Sequence, residues 1–445
     1  MSAQIPSEID IKRLFSIGQL SIFTIGLAFA IRATIAPDLQ TDIYNHLDLA
    51  NSAAMVGEAL GLTFAGFALT LLFGSALVDW MGMRKMLLLS AVGYVLGSGM
   101  ILLASLMPVT PRVSWLVLGG LLLTGLGWGA VEAASNPMVA TIYPEEKTHR
   151  LNVLHAWFPG GIVVGGLAGF AISALSLAWQ WNIVLLVIPS IVLTWMVMKT
   201  VFPVTERVSS GITYGEMFKE LMHQPLFWLF WLCMWATASS ELAPGQWVNL
   251  TLSKVVGVQG ILLLVYVSTL MFVMRHFAGP VVDRVSSVGL MWISSLLAAL
   301  GLYALSIANS PLPAFAAATI WGVGVCYMWP TMLAIVAERF PRGGALMLGL
   351  MGFAGGMAIQ FLLPVLGAVF DSAKVEAAGS VEILSTLGGE ELDEVLRFAS
   401  QESFQTVAYI PLLLLPIFGV IWWTDRAREK AASTNSDAEA LAADA

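Results

Sequence analysis

The chain has 445 residues, 58% hydrophobic and only 11% charged, with a mean hydropathy of +0.82 and a formal net charge of −8. A soluble domain carries about a quarter charged residues, so this composition reads as a membrane protein and gives no support to nucleic-acid binding. The two cysteines, Cys233 and Cys326, both lie in apolar runs, so neither a disulfide framework nor a metal site follows.

Twelve apolar runs begin near Leu14, Ser52, Met86, Ser114, Leu151, Trp181, Pro225, Val258, Gly289, Pro313, Ala345 and Phe404. Each approaches the roughly 20 residues needed to cross a bilayer as a helix. With both termini cytoplasmic, 16 Lys and Arg fall in inner segments, including Arg275. Four, Arg112, Lys254, Lys374 and Arg397, fall in outer ones, and Arg32 lies inside a span. That asymmetry follows the positive-inside rule. The expected fold is an all-α membrane protein of twelve transmembrane helices in two pseudo-repeated six-helix bundles, residues 1–202 and 225–424, joined by a polar cytoplasmic linker over 203–224. The first span reads as a retained segment, too long for a signal-peptide core. Residues 371–403 read as a long outer loop with an amphipathic turn through Leu392, Val395, Leu396 and Phe398, either a solvated surface helix or a lid. The tail over 425–445, rich in Ala, Asp, Glu and Ser, is expected to be disordered.

In chain order, the first anomaly is Arg32, near the outer end of helix one. At about 1.5 Å per residue it lies some 7 Å inside that end, and Glu58 lies about 9 Å inside the outer end of helix two. Similar depth makes Arg32–Glu58 an easier ion pair than Arg32 with the deeper Glu132. An arginine free of Glu58 would instead suit an anionic ligand. Between helices two and three, Gly74-Ser-Ala-Leu-Val-Asp79-Trp-Met-Gly82-Met-Arg84-Lys85 forms a tight inner loop. Gly279-Pro-Val-Val-Asp283-Arg284 repeats it about half the chain later. Asp79, Arg84, Asp283 and Arg284 are therefore gating candidates, with loop topology as the simpler reading. A repeat of six-helix halves is one transporter architecture, with its site between the halves near the midplane.

Helix four carries Trp128, Glu132 and Asn136 at four-residue spacing, on one stripe of the helix. An ionisable group in a span is costly and is read as functional by default. Such a carboxylate can load and release a proton, and the stripe suits a polar, partly apolar ligand such as a sugar. The alternative is a Glu held permanently by a donor on a neighbouring helix. On helix five, Asn152, His155 and Pro159 share a face, and histidine changes charge closest to physiological pH. Helix seven reads Glu241-Leu-Ala-Pro244-Gly245-Gln246-Trp247-Val-Asn249. Pro244-Gly245 is expected to break it beside a cavity, offering Glu241, Gln246 and Asn249 to a ligand or ion. Counted from Pro225, however, Glu241 lies about 24 Å along the helix, which would make it an outer gate residue. Trp321 on helix ten and Gln360 on helix eleven complete the candidates.

The Gly74–Lys85 loop resembles the motif of the major facilitator superfamily, although Trp80 and Met83 stand where that family often has basic residues. Gly125-Leu-Gly127-Trp-Gly-Ala-Val-Glu132-Ala-Ala-Ser-Asn136-Pro137, with Pro144-Glu145 and Arg150-Leu151-Asn152, resembles the fucose/proton-symporter branch over roughly thirty residues. That resemblance implies sugar binding or proton coupling at Glu132, with Asn136 beside it, and a cavity lined by helices one, four, seven and ten. The branch's functional acid on helix one has no counterpart near Arg32. The expected function is cation-coupled transport of a sugar or related polar solute by alternating access, with H+ favoured over Na+. An organic-anion or sugar-phosphate carrier using Arg32 is the alternative, and a membrane enzyme or non-transporting sensor is disfavoured for want of any catalytic motif. Membrane lipid is the expected environment, the cytoplasmic (inner) membrane the expected location, and a monomer without cofactor the expected working form.

Overall fold

The computed structural model describes residues 9–143, 147–204, 211, 213–252, 259–277, 284–340 and 344–443. The apolar runs become helices because lipid offers backbone groups no partner, so each segment must satisfy its own. The first six are α1 (Ile11–Leu39), α2 (Ser52–Met81), α3 (Met83–Ser105), α4 (Pro111–Ile142), α5 (Lys147–Ala174) and α6 (Gln180–Met198). A short linker helix, Tyr214–Met222, starts with a capping box between Thr213 and Glu216. Then follow α7 (Pro225–Leu252), α8 (Gly260–Arg275) and α9 (Ser287–Ile307). The last three are α10 (Pro311–Val325, resuming as Met328–Arg339), α11 (Gly344–Ala378) and α12 (Gly389–Ala408, resuming as Leu414–Ala443). Among the described residues eleven helices are long and apolar enough to cross a membrane, and α8 is a shorter apolar helix.

In the first half α1 packs on α5, α4 on α2 and α3, and α6 on α3; in the second, α7 packs on α11, and α9 on α10 and α12. The halves meet along α2–α11, α5–α8 and α1–α7. The α2–α11 seam is close because glycine lines it. A Cβ on Gly57 would sit 2.3 Å from the Leu363 carbonyl oxygen, and one on Gly367 2.4 Å from that of Ala53.

Polar contacts seal the outer ends of this interface. The Asp371 carboxylate accepts from the backbone N–H of Ala53 (3.4 Å) and Ala54 (2.9 Å), at the N-terminus of α2. Lys374 Nζ donates to Asp371 (2.8 Å) and to the Leu49 carbonyl (3.3 Å). Asn249 Nδ2 donates to the Thr34 carbonyl (3.1 Å), and Gln259 Nε2 to Ser173 Oγ (3.1 Å).

Several expectations change. The outer loop expected over 371–403 is mostly helix: α11 runs to Ala378, and α12 starts at Gly389. Val395, Ala399, Ser403 and Phe404 are buried against neighbouring helices, and Ser403 Oγ donates to the Leu366 carbonyl (3.3 Å). Leu392 to Phe398 therefore lie on an amphipathic helix that leads into the last span, with Val395 buried and the acidic side exposed, rather than in a loop. Their acidic neighbours had lowered the local hydropathy below that of a span. The tail, expected disordered, continues α12 to Ala443. Its Ala, Glu and Lys content favours helix, and extending an existing helix needs no new nucleus. Lys374, counted as an outer-loop charge, is buried on α11, and Arg275, counted as an inner one, is buried in the last turn of α8.

Candidate functional site

Proline sets the geometry of the central helices. Pro244 lies inside an unbroken α7, contrary to the expected break. Proline has no N–H for the carbonyl four residues earlier, which here is Ser240. The Trp321 indole Nε1–H donates to that carbonyl at 3.0 Å. The side chain of α10 thus replaces the missing helix bond, and α7 continues. Twenty-eight residues make α7 about 42 Å long, so Glu241 sits deep in the bundle and is no outer gate.

Glu241 instead anchors the second half. Its carboxylate takes Arg275 Nη2 at 2.9 Å and the Trp329 backbone N–H at 3.0 Å. Arg275 Nε donates to the Cys326 carbonyl at 3.0 Å. Cys326 and Trp329 flank the interruption between Val325 and Met328 in α10. The buried pair therefore satisfies the backbone groups that this interruption leaves over. Nothing in the sequence pattern marked Arg275 as the partner, because an arginine at an inner helix end also obeys the charge rule.

The helix-four stripe forms a second centre. Asn136 Nδ2 donates to Glu132 Oε2 at 2.7 Å, and His155 Nε2 lies 3.0 Å from Asn136 Oδ1. With the Asn136 amide N–H spent on Glu132, its Oδ1 accepts, so His155 carries a proton on Nε2. That nitrogen is also 3.9 Å from Glu132 Oε2. Carboxylate, amide and imidazole form a compact relay in which Glu132 is 9% exposed. The Asn152 side chain lies outside the described residues, as does Asp283.

Trp128 is not the open plate expected. One side stacks on Phe158 (centroids 6.2 Å apart), and Phe67 lies 4.5 Å away. Its indole Nε1–H is buried without a partner. Beside it, Arg32 is 4% exposed and lies within 6 Å of three rings: Trp128 (5.5 Å), Phe29 (5.9 Å) and Phe64 (5.9 Å). The Arg32–Glu58 pair is absent, since Glu58 is exposed and Arg32 Nε donates to Gln246 Oε1 on α7 at 3.3 Å. Equal depth along two helices did not make them face each other. Gln246 and Asn249, expected as ligand contacts, are engaged between the halves: Gln246 Nε2 donates to the Phe29 carbonyl (2.9 Å), and Asn249 bonds Thr34 and the Ile261 N–H. Gln360 is half-buried at the α2–α11 seam, with Oε1 unpartnered.

Between the halves lies a cavity of about 20 Å³, lined among others by Phe29, Phe158, Glu241, Ser268, Met271 and Trp321. That is room for about one water molecule, so a solute requires the halves to part. Phe158 and Ser268 were not singled out in the sequence. Of the gating residues, Arg84 Nη2 donates to the Met198 carbonyl at the end of α6 (2.7 Å), which ties two helices of one half. Asp79 is half-buried, Arg284 is exposed, and Gly82 makes the α2–α3 turn at φ +83°, where a side chain is strained. Among the described residues no group of three His, Cys, Asp or Glu could hold a metal ion.

Comparison with known proteins places this architecture. The sequence profile of the Major Facilitator Superfamily matches residues 20–361. Monosaccharide-sensing protein 2 of Arabidopsis thaliana is 29% identical over 177 residues, 39% of this chain; the match spans only 23% of that protein. The partially occluded inward-open xylose transporter XylE of E. coli superposes with a TM-score of 0.71 at 13% identity, covering 92% of this chain and 97% of that one. The E. coli fucose:proton symporter FucP superposes at 0.58 and 15% identity, covering 89% and 98%.

Proposed function

This chain belongs to the Major Facilitator Superfamily of membrane transporters, and on that premise we propose that it carries a small hydroxylated solute of the sugar class, coupled to H+, by alternating access. The observation behind the coupling is the relay of Glu132, Asn136 and His155. A buried carboxylate hydrogen-bonded to an amide, with an imidazole 3.9 Å away, can hold one proton in two places. Proton uptake removes the charge that makes the helix-four stripe costly to close over. Solute hydroxyls compete for the same amide and carboxylate, so loading of solute and of proton are linked. The activities of the two E. coli structural neighbours, xylose transport and fucose:proton symport, favour the same class. We place the protein in the cytoplasmic membrane with both termini inside, where the lysine and arginine bias puts them.

The outer seal at Asp371, Lys374, Asn249 and Gln259 would open as the halves rock apart, and the inner ends would close in turn. Uptake into proteoliposomes under an imposed pH gradient tests the reading, with an imposed Na+ gradient as the competing arm. Glu132→Gln is expected to lose gradient-driven accumulation while keeping solute exchange. Unchanged accumulation by that variant overturns the proton role.

A further inference from the structure

We propose that Arg32 is the seat for an anionic group on the transported solute, which makes the cargo a hydroxylated carboxylate of the sugar-acid kind. This rests on the transport reading above and narrows its substrate class. Six charged side chains are buried among the described residues: Arg32, Glu132, Glu241, Arg275, Asp371 and Lys374. Arg275 is paired with Glu241, Lys374 with Asp371, and Glu132 lies beside His155. Arg32 alone among them has no described side chain of opposite charge in contact. Its described hydrogen bond is to a neutral amide, Gln246 Oε1, at 3.3 Å, and its Nη2 is buried with no partner. A buried guanidinium with N–H groups left over is costly unless something completes it.

What surrounds Arg32 suits a solute. The rings of Phe29, Phe64 and Trp128 hold the cation by their faces and exclude water. Trp128 also offers an unpartnered indole N–H. Glu132 and Asn136 follow Trp128 at one and two turns, about 6 and 12 Å along α4. A carboxylate on Arg32 would thus lead a short hydroxylated chain toward the relay. Gln246 belongs to the other half, so parting the halves removes the only described hydrogen-bond partner of Arg32 and presents its fork to whatever enters. Behind Arg32, a cavity of about 20 Å³ is shared with Ser98, whose Oγ is unpartnered. It has room for about one water, so the approach for an organic anion is from the Gln246 side.

The test compares ligand-induced thermal shifts of the purified full chain with D-gluconate and D-galactonate against D-glucose and D-xylose. Sugar acids are expected to stabilise the wild type, and Arg32→Gln to bind them at least about tenfold more weakly. Arg32→Lys should retain part of the effect, because it keeps the charge but loses the fork. Arg32→Gln without ligand should melt no lower than the wild type, which shows that it folds. Stabilisation by the neutral sugars alone, or by neither class, overturns the proposal, as does a marked loss of ligand-free stability. The binding comparison is made without any imposed gradient, so a failed proton role appears in the uptake assay without touching it.

Discussion

The backbone carbonyl of His155 on α5 accepts a hydrogen bond from Arg275 Nη1 on α8, across the two halves, at 3.4 Å. His155 reaches Asn136 and Glu132 with its ring, and Arg275 reaches Glu241 with its other Nη. One residue on each side thus joins the first half's carboxylate centre to the second's. A change in charge at Glu132 is made within two side chains of the buried ion pair.

That pair should be structural before it is anything else. Removing one member of a buried pair typically costs about 3–5 kcal/mol, because the other charge stays behind. Glu241→Gln and Arg275→Met are each expected to lower the melting temperature in detergent markedly. The double variant should recover part of the loss. Equal melting of the wild type and Glu241→Gln would show that Arg275 is neutralised elsewhere.

His155 and Glu132 should separate in function. His155→Gln keeps a side chain able to bond Asn136 but does not titrate. Gradient-driven uptake is expected to survive with an altered profile between about pH 5 and 8, the range in which a histidine changes charge. Initial rates across that range check it. Complete loss of accumulation, as expected for Glu132→Gln, would make the histidine an obligatory proton carrier.

The α2–α11 seam predicts a conformational block. Gly57→Leu puts a side chain where the Leu363 carbonyl already stands 2.3 Å from a Cβ. The outer ends should then fail to close, leaving solute binding from the outer side intact while net uptake falls to background. Uptake and binding on the same preparation decide the matter. Normal uptake would mean that α11 can shift without opening the seal.

Asp371 adds a negative charge at the N-terminus of α2, an arrangement worth about 0.3–1 kcal/mol and up to about 2 when partly buried. Asp371→Ala with Lys374→Met removes both charges together and should shift the protein toward the outward-open state by roughly that amount. Thiol labelling of a cysteine introduced at Ser52 is expected to speed up severalfold. An unchanged rate would assign the seal to the remaining contacts.

The twelve crossings and the helix-four stripe were legible because both depend on local spacing: hydropathy gives the spans, and a four-residue interval puts Glu132 under Trp128. Partners across helices were not. Arg32 and Glu58 matched in depth, yet rotation about each helix axis decides which side chains meet, and a single sequence does not contain it. Gln246 and Asn249 looked like ligand groups because amides in a span need partners; they found them on the main chain of α1. Pro244 looked like a break because the indole that rescues Ser240 lies 81 residues away.

The bonds across the interface run mostly one way. Asp371, Lys374, Gln246, Asn249 and Arg275 are side chains of the second half, and what they grasp are main-chain groups of Ala53, Ala54, Leu49, Phe29, Thr34 and His155. Among the described residues Arg32–Gln246 and Gln259–Ser173 are the exceptions, joined side chain to side chain. A main-chain amide or carbonyl survives almost any substitution. The polar groups that shut this carrier therefore lie largely in residues 246–374, while the surface they grasp is set by the course of its helices and by close-packed glycines such as Gly57. In a library of random variants, closing defects should crowd into the second half.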